Sequence, residues 1–113
     1  MPSDTPGFTA GLSELVILRL LQDQEMYGYE IVQAIAIRTR RVVTPGEGVV
    51  YPLLHALEKD GALKSRRKPV GGRSRVYYAL TAKGAKRLEK LTRTWTQVNG
   101  AVAAVLGRGA YAV

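Results

Sequence analysis

Residues 63–80 constrain this chain more than any other stretch. Val76, Tyr78 and Leu80 alternate with Arg75, Tyr77 and Ala79. That is the period of two of a strand with one covered face. Leu63 to Lys68 form a matching run ahead of it, and Pro69-Val70-Gly71-Gly72 lies between the two. The glycine pair supplies the positive φ values that a hairpin tip needs. A basic hairpin set among helical segments admits few architectures.

The segments around the hairpin read as helices. Ser13 is a plausible N-cap, with Glu14 in the first turn, ahead of the apolar run Leu15 to Leu21. That run is apolar on nearly every side, as expected of a helix touched by several neighbours. A second helix opens at Gly28 and runs to about residue 39, with Ile31 and Ile35 one turn apart beside Ala34. Arg38, Arg40 and Arg41 fall near its end, where cations are favoured. Thr44-Pro45-Gly46-Glu47 reads as a capping box: Thr44 caps, Pro45 takes the first helical position and Glu47 reaches back. The third helix then carries the stripe Val50, Leu53, Leu54, Leu57 and stops at Gly61. Pro52 lacks an amide hydrogen and should bend it near its start.

Thr81 caps a last helix over residues 81–107. Leu88, Leu91, Trp95, Val98, Val102 and Val105 recur at alternating spacings of three and four, which is a heptad seam. A helix this long outruns the core of so small a domain. Its outer half calls for a partner, most simply the same helix of a second chain. Trp95 is the only tryptophan and sits mid-seam, where its bulk spoils tight knobs-into-holes packing. Two copies facing each other, flanked by Leu91 and Val98, can sandwich a planar aromatic ligand. Residues 1–11 read as a flexible arm, 12–80 as the domain proper and 108–113 as a tail.

Charge shows where a partner would sit. The formal net charge is +8, and residues 61–90 hold ten Lys or Arg against Glu89 alone. The remainder is close to neutral, so the positive field is confined to one segment, as a polyanion site requires. The chain has no cysteine and one histidine, His55, which leaves no thiolate or histidine metal site and no catalytic constellation. Neither enzyme activity nor a cofactor is expected. No signal peptide and no apolar run of ~20 residues is visible, so the expected location is the cytoplasm, away from membranes.

Helix, helix, helix, basic hairpin, helix is the order of a winged helix-turn-helix with a long C-terminal dimerisation helix: mostly α, with a β-hairpin wing. The third helix should enter the major groove of double-stranded DNA. Its face opposite the leucine stripe carries Gly48, Tyr51, Pro52, His55 and Lys59. Thr44 and the small residues Gly46, Gly48 and Val49 lie at its start, where DNA can approach closely, and Val49 suits a thymine methyl. A hydroxyl at Tyr29 suits a phosphate. On the wing, Arg66, Arg67, Lys68, Arg73 and Arg75 flank the tip at Gly72 and suit phosphates or a narrow minor groove. A sequence-neutral architectural nucleic-acid binder without a ligand would share the basic hairpin. It would not need the capped third helix or the seam tryptophan.

Four further stretches carry a resemblance: Gly28-Tyr29-Glu30, Gly48 through Gly61 with its core Tyr51-Pro52-Leu53-Leu54 and Leu57-Glu58, Gly72-Arg73, and Tyr77-Tyr78-Ala79-Leu80-Thr81-Ala82-Lys83-Gly84. Together they resemble the PadR family of bacterial transcriptional regulators over about residues 12–90. Members usually carry Thr or Ser where this chain has Val49. The single C-terminal helix is similar to the small branch of the family, whose members dimerise through it. The resemblance implies a homodimeric repressor on a pseudo-palindromic operator, released by phenolic, drug-like or other flat aromatic compounds.

Overall fold

The computed structural model describes residues 6–107. In chain order these form α1 (Pro6–Asp23), β1 (Met26–Tyr27), α2 (Gly28–Arg38), α3 (Glu47–Lys59), β2 (Leu63–Val70), β3 (Arg73–Leu80) and α4 (Ala82–Leu106). The winged helix-turn-helix with a long last helix is therefore the observed architecture.

The core gathers the apolar stripe of every helix under the sheet. Ile17, Leu18, Leu20 and Leu21 of α1, Ile31 and Ile35 of α2, and Val50, Leu54 and Leu57 of α3 are all buried. Met26, Leu63 and Tyr78 close it from the strands and Leu88 from α4. The all-round apolar run of α1 is explained by its position: it meets α2, α3, α4 and β3.

The hairpin has a two-residue tip. Gly71 and Gly72 sit at φ 56° and 80°, left-handed values that strands with a right-handed twist favour in so short a turn. β2 and β3 pair from Leu63↔Leu80 to Val70↔Arg73. A third, very short strand adds to the other edge of β3, with Met26↔Tyr78 and Tyr27↔Tyr77, so the order is β1-β3-β2. At two residues, β1 is too short to show any periodicity in sequence.

Two helix starts differ from the sequence expectations. α1 begins at Pro6, so the arm expected over residues 1–11 is helical from Pro6 onward. Ser13 is not a cap: it lies buried mid-helix, and Glu14 is engaged with Arg87. Residues 1–5 and the expected tail at 108–113 lie outside the described residues. The capping box at Thr44–Glu47 is also absent. α3 is capped by Gly46 without a side-chain bond, its carbonyl accepting from the amides of Val49 and Val50 at 3.0 Å. Pro45 is buried instead. Pro52 lies inside α3, which remains one unbroken helix.

Other ends behave as read. α3 ends at Gly61, φ 86°, where the Gly61 amide donates to Glu58 and the Ala62 amide to Leu57. Thr81 caps α4 by accepting from the Gly84 amide at 3.0 Å. Beyond α2 the chain also turns through left-handed positions, here Arg40 and Arg41 at φ 55° and 64°. Thr39 holds that turn: its hydroxyl donates to the Ile35 carbonyl at 2.8 Å and accepts from the Val43 amide at 3.1 Å.

Candidate nucleic-acid interface

α2, its turn and α3 form the helix-turn-helix. Glu30 accepts from the Tyr27 amide at 3.3 Å, fixing the start of α2. Gly28 leaves room there for the Tyr51 ring, whose outer end lies where a Cβ would point. Contact with that ring ties α2 to α3. Burial pushes the Tyr51 phenol above its ordinary range, and the carboxylate of Glu47 adds to the shift. Tyr51 is thus half-buried, its ring against Gly28 of α2. Thr44, Gly46, Gly48, Val49, Pro52 and His55 are exposed at the start and outer side of α3. Tyr29 is exposed one helix away, its hydroxyl accepting from Gln33 at 3.1 Å.

The wing is fastened to this unit. Ser65 on β2 donates to Glu58 on α3 at 2.6 Å. Tyr27, Gly28, Tyr51, His55, Arg75 and Val76 line a groove between the two helices and β3. Residues paired across β2 and β3 share a face. Lys64, Arg66 and Lys68 therefore lie with Arg73, Arg75 and Tyr77 on the face away from the core. Arg67 pairs with Val76 on the other.

That outer face is a stack of cations and rings. The Arg75 guanidinium lies 4.3 Å from the Tyr27 ring centre, and the Lys68 ammonium 4.3 Å from that of Tyr77. Tyr27 and Tyr77 meet edge to face at 5.5 Å. Glu25, just before β1, accepts from Arg66 Nε at 3.1 Å, Arg66 Nη2 at 2.7 Å and Lys68 Nζ at 2.9 Å. Hydrogen bonds from Arg66 and then Lys68 lower its carboxyl pKa to about 2. Sequence reasoning missed Glu25 because its partners lie 41 and 43 residues away. It missed the Tyr27–Tyr77 pairing because that rests on β1.

α4 divides into two parts. Its first turns belong to the domain: Leu88 is buried and Leu91 packs on the same cluster. Leu88 is thus a residue of the chain's own core, and the free seam begins beyond it. Trp95, Val98, Val102 and Val105 are 40%, 50%, 48% and 85% exposed. Arg87 anchors the inner part, donating to Glu14 on α1 and to Asp60 at the end of α3, each at 2.6 Å. Among the described residues no cluster of ligating side chains could hold a metal, and no helix is long and apolar enough to cross a membrane.

A helix-turn-helix whose outer side is open, beside a cation-rich wing, defines a DNA-binding regulator of the winged-helix class. Comparison with known proteins agrees. Residues 17–90 match the transcriptional regulator PadR-like family. Transcriptional regulator YqjI of Escherichia coli is 37% identical over 83 residues, 74% of this chain but only 39% of that protein. Transcriptional regulator Rv3488 of Mycobacterium tuberculosis is 36% identical over 72% of this chain and 73% of its own length. A transcriptional regulator from Clostridium thermocellum superposes with a TM-score of 0.83 at 28% identity, over 89% of this chain and 99% of that one. The chain belongs to the PadR-like family of transcriptional regulators, which bind DNA and are not enzymes.

Proposed function

We propose that the chain is a homodimeric cytoplasmic repressor, held together by α4 and released from its operator by a planar aromatic compound bound between the two copies of Trp95. The observation that carries this reading is the exposed apolar edge Trp95, Val98, Val102 and Val105, beyond the last residues α4 gives to its own core. A contiguous apolar edge of this kind on a globular domain marks a protein-contact surface. Pairing two copies covers it symmetrically. It also sets two Trp95 rings near each other, with Leu91 and Val98 beside them.

In this reading α3 enters the major groove through Gly48, Val49 and His55. Gly46 and Thr44 lie close to the backbone, and Tyr29 meets a phosphate. Arg67, Arg73 and Arg75 hold phosphates on either side of Gly72. Tyr51 supports the helix pair rather than touching DNA. Each α4 follows its wing at Thr81 with no linker and is tied to the end of α3 through Arg87. A ligand that alters the angle between two α4 helices therefore alters the separation of the two reading heads. Half-sites about 34–36 Å apart tolerate little such change. Release then equals the ligand's differential affinity for the two separations.

The test uses the single tryptophan. A panel of planar aromatic compounds is titrated while Trp95 emission is read, and duplexes selected by the protein from a random pool report DNA affinity. Quenching ligands that also release the selected duplex support the reading, with Trp95→Ala losing ligand affinity and keeping DNA affinity within a few-fold. Equal release in Trp95→Ala moves the pocket elsewhere. Equal affinity for selected and random duplexes instead establishes the sequence-neutral binder.

A further inference from the structure

The charge arrangement at the base of the wing has no role in the dimer or ligand reading. Arg66 and Lys68 lie on the outer face with Arg73 and Arg75, and both are held by one acid, Glu25. Glu25 grips Arg66 through both its oxygens, the forked geometry that a guanidinium also offers a phosphate. Its second oxygen takes Lys68 as well, while the Tyr77 ring lies under that ammonium. The carboxylate is only 26% exposed, against 65% for Arg66. The acid is thus seated and the cations reach back to it. A duplex against this face meets two cations whose charge is already shared with a carboxylate.

We propose that Glu25 is an internal competitor for DNA phosphate: it holds Arg66 and Lys68 back from the duplex and so limits the protein's sequence-independent affinity. Charge-driven phosphate contacts supply essentially all non-specific binding and carry no sequence information. Withholding two of them leaves a larger share of binding to the base-reading face of α3. The inference rests on the wing lying against DNA, which Arg73 and Arg75 report independently of Glu25.

The probe is a random-sequence 30-base-pair duplex, with affinity read by anisotropy across 50–200 mM salt. Glu25→Gln should bind it more tightly, about tenfold at the low-salt end. Its plot of log affinity against log salt should be steeper by roughly 0.9 for each phosphate newly engaged. The triple variant Glu25→Gln, Arg66→Ala, Lys68→Ala should return to wild-type affinity and slope. Unchanged or weaker binding by a folded Glu25→Gln overturns the proposal. So does a triple variant markedly weaker than wild type, because Arg66 and Lys68 would then already hold phosphates beside Glu25. That second comparison decides the matter even if Glu25→Gln alone does not fold. A flatter slope in Arg73→Ala, Arg75→Ala without any gain in Glu25→Gln defeats this inference alone. An unchanged slope in that double variant defeats the wing reading beneath it.

Discussion

Gly84 shows how closely a single residue can be specified. It is the third residue of α4, and a Cβ there would fall on the Ala62 carbonyl and the Leu80 side chain. That carbonyl already accepts the Thr81 amide at 3.1 Å, so it cannot move without opening the junction between wing and α4. Gly84→Ala should destabilise the fold by about 1–3 kcal/mol, the usual cost of overpacking, read as a lowered denaturant midpoint. Glu25 makes a different kind of demand. Its folded pKa is lowered, so its contribution to stability is complete above the ordinary carboxylate value. That contribution fades as pH falls toward its folded value of about 2. Carboxyl carbon shifts should show Glu25 still ionised at pH 3, where exposed carboxylates are protonated. A Glu25 midpoint near 4 would mean that the clamp with Arg66 and Lys68 is not formed in solution.

α4 is the element in which one helix serves two surfaces. Leu88 closes the domain core, and from Trp95 onward the same apolar spacing faces solvent in the single chain. Val98→Asp places a charge in the outer stretch only. Buried without a counter-ion, it should cost the dimer roughly 3–5 kcal/mol while leaving helix content and the domain core intact. Light scattering should then show monomers at micromolar concentration with wild-type circular dichroism. The heptad spacing makes α4 legible in sequence, but not the division at Leu91, since spacing does not tell which neighbour a face meets. The hairpin, its glycine tip, the end of α3 at Gly61 and the Thr81 cap are legible because each rests on local backbone chemistry. The start of α3 is not. Thr44, Pro45 and Glu47 have the composition of a capping box, yet Pro45 is buried and the helix starts at Glu47. β1 and the contacts of Glu25, Tyr51 and Arg87 leave no mark in the sequence, because they join residues that only the folded chain brings together.

On the scale of the molecule, the parts form a line from the wing to the outer end of α4. The described residues span 54 × 32 × 24 Å, with α4 running on beyond the domain core. Ser65–Glu58 ties wing to α3, and Arg87 ties α1 and the end of α3 to α4. If the wing meets phosphates, Arg73→Ala with Arg75→Ala should weaken selected and random duplexes alike. It should also flatten the salt slope by roughly 0.9 for each phosphate no longer neutralised. An unchanged slope would take the wing off the backbone.

Joined through α4, two such chains should sit together on one operator. Sedimentation equilibrium at micromolar concentration, with and without a duplex selected from a random pool, reads this directly. The expected result is a particle of twice the 12.3 kDa chain mass, which adds as a unit to one duplex. A particle of one chain mass that binds the selected duplex with undiminished affinity would contradict it.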